Sequence, residues 1–354
     1  MIWESPFAER GQQSRFSLAD AYSVRYVVRM IEARDLQKAF RTKAGPVEAV
    51  RGVDLRVQEG ELVAFLGPNG AGKTTTLRML TTLLRPTSGS ARVAGYDITD
   101  EAARVRQRIG FIGQGNSAGY YHRIRDELVI QGRAYGLTWR HARHRADELL
   151  EVMELTALAD RTAGTLSGGQ RRRLDVALGL VHSPPLLFLD EPSTGLDPQT
   201  RARLWEQLLE LRERQGTTIF LTTHYLEEAD TRAERVIIVD HGRVIADDTP
   251  SALKRGLAGD LVRLRVKGST TAAAAVVEAL PGVRDLETSG DWITARLPDG
   301  STAVPPLLER IRAHDAEVVE VEVLPPTLDD VFLALTGRSL REEGTTQTEE
   351  EMTR

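Results

Sequence analysis

The chain has 354 residues, no cysteine, and 46 basic against 51 acidic residues, for a formal net charge of −5. That length accommodates one large domain and one small one with ample core. The lack of cysteine excludes disulfides and thiolate metal sites and suits a reducing cytosol. The mild acidity argues against a nucleic-acid binder governed by phosphate contacts, so no nucleic-acid partner is expected. No run approaches the roughly 18–20 apolar residues that span a bilayer, and the N-terminus has no signal-peptide core.

Residues 1–29 are polar and poorly periodic apart from Tyr22–Val28; they are expected to be disordered, or to precede a natural start at Met30. From Ile31 to about Val57, short extended segments with polar turns suggest a small antiparallel sheet. The apolar run Leu62–Leu66 then enters Gly67-Pro68-Asn69-Gly70-Ala71-Gly72-Lys73-Thr74-Thr75, and a helical pattern follows from Lys73 to Leu84. This is the G-x-x-x-x-G-K-[ST] phosphate loop in its strand–loop–helix setting. Its glycines let successive N–H groups surround a polyphosphate, and the helix dipole adds to that pull. Lys73 is expected on the outer phosphates and the Thr74 hydroxyl on Mg²⁺.

Gly89–Gly95 reads as a small strand and turn, and Arg108–Ile112 as a strand with Gln114 just beyond it. The pattern from there to about Thr165 is mainly helical, with periodic stretches at Asp126–Leu137 and His141–Leu155. His141 and His144 share a helix-like segment without a third ligand and read as solvent-exposed. Leu166-Ser167-Gly168-Gly169-Gln170 opens the helix Gln170–Val181, whose N-terminus would point at a phosphate. The run Arg171-Arg172-Arg173 reads as a solvated helix face rather than a DNA contact. Leu186–Leu189 is an apolar strand ending in the carboxylates Asp190 and Glu191; Thr217–Thr222 and Val236–Val239 read as two more strands. Alternating strands and helices imply a mostly parallel sheet with helices on both faces.

After about Arg255 the composition changes. Asp260–Lys267 reads as a strand, Thr271–Leu280 as an alanine-rich helix, and Val283–Thr288 and Trp292–Leu297 as two strands. Val304–His314 reads as a helix after or including the proline pair, and Glu317–Val323 as a strand. The order β-α-β-β-α-β suits a ferredoxin-like unit. Thr327–Leu335 is expected to be a terminal helix capped by Thr327, and the residues from about Arg341 to be frayed.

Leu166–Gln170 resembles the signature of the ATP-binding-cassette (ABC) superfamily, and the phosphate loop, Asp190-Glu191, Ser193–Pro198 and Thr222-Thr223-His224 follow the cassette order. The resemblance covers roughly residues 31–250. It implies a P-loop NTPase of α/β class: a RecA-like core, an antiparallel β subdomain and a helical subdomain at about 115–180, all within 30–254. A small α+β accessory domain follows at 255–340. It further implies that Phe40 stacks on adenine and that Asp190 holds Mg²⁺. Glu191 would polarise the attacking water, His224 contact the γ-phosphate, and Gln114 touch Mg²⁺ or the water. Ser167, Gly168, Gly169 and Gln170 would close over ATP bound to a second, head-to-tail copy, with Asp197 bridging the interface. Leu166–Pro198 and Pro326–Gly337 together resemble the daunorubicin/doxorubicin-resistance type of exporter ATPase. That type implies a peripheral ATPase on the cytoplasmic face, pairing with a separate permease to export a drug, antibiotic or other hydrophobic compound. One departure is Gly115–Ile124, which is rich in Tyr, His and Arg where relatives often carry a more acidic, apolar segment.

Two other classes remain at this stage. A soluble ABC ATPase of translation or DNA metabolism is opposed by the single phosphate loop, the absence of cysteine and the short spacing between Lys73 and Leu166. A nucleotide-dependent scaffold without turnover is opposed by Glu191 and His224.

Overall fold

The computed structural model describes residues 29–43, 45–115, 118–314 and 316–339. The expectations for residues 1–28 and for the tail beyond 340 lie outside the described residues; Arg29 already belongs to the first strand. β1 (Arg29–Thr42) and β2 (Gly45–Gln58) pair as one long antiparallel hairpin instead of short segments. Register shifts after Ala33 and Lys38 interrupt the two-residue alternation, which is why the sequence reads as fragments. β3 (Leu62–Leu66) enters the core, and α1 (Lys73–Leu80) leaves the phosphate loop. β4 (Ser88–Val93) and β5 (Tyr96–Asp97) return to the hairpin and complete a sheet of order β2-β1-β4-β5.

α2 (Ala102–Arg108) leads to β6 (Ile109–Ile112), and α3 (Ile124–Ala134) with α4 (Trp139–Val152) forms the helical region. α5 (Gly168–Leu180) returns the chain to β7 (Leu186–Asp190). α6 (Pro198–Gln215), β8 (Thr218–Thr223), α7 (Leu226–Arg232), β9 (Arg235–Asp240) and β10 (Arg243–Asp248) finish a sheet of order β10-β9-β3-β8-β7-β6. Its β3, β6, β7, β8 and β9 run parallel. Every residue of β3, β7 and β8 is buried. Strands covered on both faces need such continuous apolar runs. The register matters for function: Leu66 pairs with Thr223 and Asp190 with Thr222, so the carboxyl ends of β3, β8 and β7 lie side by side. Open parallel sheets bind ligands at that edge.

After α8 (Pro250–Leu253), β11 (Asp260–Gly268), α9 (Thr270–Glu278), β12 (Arg284–Ser289), β13 (Trp292–Leu297), α10 (Gly300–Arg312) and β14 (Ala316–Leu324) form a third sheet of order β12-β13-β11-β14. It has its own apolar cluster around Leu264, Ile293, Leu297, Leu307 and Ile311. α10 includes Pro305 and Pro306 and begins earlier than its periodicity suggests, because the Asp299 carboxylate accepts from Thr302 N at 3.1 Å. α11 (Leu328–Thr336) is capped by Thr327 as expected, with Asp330 closing the capping box. It buries Leu328, Val331 and Phe332 in the apolar cluster of the main sheet, not in that of the third sheet, and leaves Leu333 exposed. Arg296 on β13 pairs with Asp330, and Arg338 reaches Asp240 at 2.7 Å, so ion pairs accompany the apolar attachment.

His182, past the end of α5, stacks on Tyr135 with ring centroids 3.7 Å apart, and its Nε2 lies 3.0 Å from Ile109 O. Burial pushes this imidazole down to about 4, against a backbone hydrogen bond to Ile109 that favours the cation. A folded value below the unfolded one means that the unfolded chain binds more protons between the two. The stabilisation is therefore complete above pH about 6.5 and is lost as pH falls toward 4; at 1.36 kcal/mol per pH unit the loss is about 3 kcal/mol. In acid denaturation followed by circular dichroism, His182→Gln is expected to lose less stability than the wild type between pH 6.5 and 4. Parallel curves would contradict the assignment.

Candidate nucleotide site

The site grows from the phosphate loop. Gly72 caps α1 with φ 97°, and a Cβ there would lie 2.4 Å from Ala49 O, so backbone conformation and crowding both demand glycine. Lys73 is buried; its Nζ donates to Gly67 O at 2.8 Å and Pro68 O at 3.0 Å and lies 3.6 Å from Glu191 Oε1. Burial lowers the Lys73 ammonium below its ordinary range, opposed by the carboxylates of Glu191 and Asp190. The Thr74 hydroxyl donates to Asp190 Oδ1 at 3.0 Å, and Thr222 Oγ1 donates to the same oxygen at 2.6 Å. Two donors on one oxygen offset the desolvation of a carboxylate buried this deeply.

Glu191 has a left-handed backbone at φ 48°, an uncommon and costly conformation for a residue with a side chain. Its N–H donates to Thr222 O at 3.1 Å and Thr222 Oγ1 at 3.2 Å, which ties the turn to β8. Its Oε2 accepts from Thr194 Oγ1 at 3.3 Å and lies 3.3 Å from His224 Nδ1. That histidine approach has ion-pair distance without hydrogen-bond alignment. Burial alone would raise the Glu191 carboxyl, but the His224 ring, Lys73 and Thr194 outweigh it and hold it below the ordinary range. Glu191 is thereby kept as an anionic acceptor at neutral pH, beside an ammonium and an imidazole. The Thr74 and Asp190 oxygens form the hard donor pair that Mg²⁺ prefers, so the side chains present fit that ion.

The structure brings Lys73, Thr74, Asp190, Glu191 and His224 together. It does not join Gln114 to them: among the described residues no contact links this exposed side chain to the cluster. Phe40 is half-exposed on β1, with Lys38 Nζ 5.4 Å from its ring centre. Ser167 caps α5 in a capping box with Gln170: Ser167 N donates to Gln170 Oε1 at 3.0 Å and Gln170 N to Ser167 Oγ at 3.3 Å. Ser167 and Gly168 face solvent, as does Asp197, which caps α6 through Thr200 N at 2.9 Å. His141 and His144 are exposed.

One reading of the sequence is corrected. Arg171-Arg172-Arg173 is not a solvated face. Arg172 is buried, with Nε 2.6 Å from Pro192 O and Nη1 2.7 Å from Gly113 O, because α5 passes beneath the ends of β6 and β7. Arg171 donates to Tyr120 OH at 2.9 Å and Arg173 to Met153 O at 2.9 Å. Sequence reasoning also missed the bridging role of Thr222. A polar residue ending an otherwise apolar strand, beside the strand that ends in Asp190, was the available signal.

Comparison with known proteins gives the family. A model of the ABC transporter family matches residues 50–194, and one of the DrrA1-3-like ATP-binding protein C-terminal domain matches 249–336. The daunorubicin/doxorubicin resistance ATP-binding protein DrrA of Streptomyces peucetius is 43% identical over 328 residues, covering 91% of this chain and 97% of that protein. The chain belongs to the ABC transporter ATP-binding proteins of the daunorubicin/doxorubicin-resistance type. It is an ATPase of the cassette superfamily. The linearmycin resistance ATP-binding protein LnrL of Bacillus subtilis is 36% identical, covering 88% of this chain and all of that protein. An ATP-binding cassette solved as a dimer in a post-hydrolysis state with ADP and Pi superposes with TM-score 0.58 at 28% identity, covering 62% of this chain and 98% of that one.

Packing in the signature loop of this ATPase is testable. A Cβ on Gly169 would lie 2.5 Å from Thr200 Cγ2, a stiff branched methyl whose hydroxyl is already held by Asp197. Gly169→Ala is expected to destabilise by about 1–3 kcal/mol. Thr200→Ser removes only that methyl and should restore most of the loss in chemical denaturation. No rescue in the double variant would contradict the packing argument.

Proposed function

We propose that this ATPase powers efflux of a drug, antibiotic or other hydrophobic compound through a separate permease, working as a head-to-tail pair of cassettes on the cytoplasmic face of the membrane. The similarity to daunorubicin, doxorubicin and linearmycin resistance ATP-binding proteins supports the export reading. Among the described residues no helix is long and apolar enough to cross a membrane, which fits a division of labour with another chain. The observation that carries the paired reading is the exposure of Ser167 and Gly168 on a rigidly capped helix, with no described contact to the Lys73–Glu191 cluster of the same chain. Such a loop can serve a triphosphate held by a second copy. Asp197, exposed at the start of α6, is assigned to the same interface.

Hydrolysis needs charge neutralisation on the phosphates and an oriented water. Lys73 and the N–H groups of the loop from Asn69 to Thr75 supply the first; Thr74 and Asp190 would hold Mg²⁺, which adds positive charge when bound. ATP must exchange the Lys73 contacts with Gly67 O and Pro68 O for phosphate oxygens. Glu191, anionic and fixed by Thr222, accepts a hydrogen bond from the attacking water. His224 adjoins it and is assigned to the γ-phosphate, and Gln114 to sensing that phosphate. Phe40 is assigned to the adenine ring. Loss of the γ-phosphate removes contacts made across the pair, so turnover opens it.

Glu191→Gln is expected to retain ATP and accumulate closed pairs, whereas Lys73→Ala should lose tight nucleotide binding. His224→Ala should lower kcat by about 10²–10³. Light scattering and phosphate release in excess Mg-ATP check these outcomes. A Glu191→Gln protein that stays monomeric even with its membrane partner present would contradict the paired site.

A further inference from the structure

The signature helix makes a second connection that none of the roles above uses. The Arg172 guanidinium donates to Pro192 O at 2.6 Å and Gly113 O at 2.7 Å, and its Nη2 lies 3.4 Å from both Asp190 O and Glu191 O. Four carbonyls from two segments thus converge on one buried cation. Gly113 follows β6 and precedes Gln114; Asp190, Glu191 and Pro192 form the strained turn that carries the catalytic carboxylate. One helical turn further along α5, the buried Asp175 accepts from Ala118 N at 3.3 Å. The same helix therefore holds the chain on both sides of Gln114. It begins at Ser167, the residue assigned to the other copy's nucleotide.

A planar five-donor guanidinium suits this task. It can satisfy several carbonyls in fixed directions, and its burial beside Asp175 and Asp190 leaves it a local countercharge. The left-handed Glu191 backbone persists only where its surroundings over-determine it. Thr222 holds its N–H side, and Arg172 its carbonyl side.

We propose that Arg172, assisted by Asp175, is a positioning residue for hydrolysis, locking the Gln114 segment and the Glu191 turn to the signature helix so that the three move as one body. This rests on the assignment of Glu191 and Gln114 above. A nucleotide clasped by Ser167 of one chain then sets the water-orienting group of that same chain for its own ATP. The device links the two sites of the pair without adding any group that touches substrate.

The test uses the full-length protein. Steady-state kcat and the affinity for a fluorescent ATP analogue are measured for Arg172→Gln, Arg172→Lys and Gln114→Ala, and for Arg172→Gln combined with Gln114→Ala. Arg172→Gln is expected to lower kcat by about tenfold or more with affinity within threefold of wild type. Arg172→Lys, which keeps the charge but not the fork, should recover part of the loss. The double variant should lose less than the product of the single losses, because both act through one coupled segment. If Arg172→Gln does not fold, Arg172→Lys decides, with an expected loss of about threefold or more in kcat at unchanged affinity. A folded variant with wild-type kcat, losses of kcat and affinity in equal proportion, or independent effects in the double variant would overturn the inference. Glu191→Gln is the control: turnover surviving that change refutes the underlying assignment, whereas its loss beside a normal Arg172→Gln refutes only the positioning role.

Discussion

The arrangement depends on one oxygen. Asp190 Oδ1 receives the hydroxyls of Thr74 from the phosphate-loop helix and Thr222 from the neighbouring strand. A carboxylate buried this deeply is costly unless it is satisfied, and here satisfaction requires three chain segments to meet at one edge of the sheet. The strand order supplies that meeting. With β8 between β3 and β7, Asp190 lies opposite Thr222 and Leu66 opposite Thr223. Lys73 then enters the same enclosure, and Glu191 turns toward it through a backbone that is itself strained. The ammonium and the two carboxylates offset one another's burial. Removing the ammonium leaves two neighbouring carboxylates without that countercharge.

The lysine is held by its own loop carbonyls, and Glu191 by an ammonium, an imidazole ring and a threonine. The buried ammonium of Lys73 suits an anionic ligand. In the proposed site, a triphosphate takes over from the carbonyls with stronger charge-assisted contacts. The signature loop is built differently. Its capping box fixes Ser167 and Gln170 to each other, while Ser167 and Gly168 point to solvent. The Lys73–Glu191 cluster is enclosed and the signature loop is presented outward, which is the asymmetry that the proposed shared site requires.

Much of this was legible in the sequence, for a physical reason. A phosphate loop needs glycine where φ is positive and where a Cβ would strike Ala49 O, so Gly72 writes its constraint directly into the motif. Continuous apolar runs at Leu62–Leu66 and Leu186–Leu189 announced buried parallel strands. The six elements of the third sheet were readable because their turns and caps are local. Arg172 was not: three arginines in a row carry no mark of which one passes beneath a sheet edge. The long β1–β2 hairpin was obscured by its register shifts, and α6 went unread although its buried Leu204, Leu208 and Leu211 recur at helical spacing. The attachment of α11 to the main core is a tertiary fact; its stripe of Leu328, Val331 and Phe332 fits either neighbour.

Two identical chains either finish each other's reaction centre or they do not, and mixing two differently disabled proteins separates the cases. Lys73→Ala and Ser167→Arg should each be inactive alone, since one spoils the cradle and the other the closing loop. Combined in one tube with Mg-ATP, they should recover phosphate release, because a mixed pair contains one cradle and one loop that are both intact and face each other. Silence from the mixture, with mixed pairs demonstrated by crosslinking, would contradict the shared site.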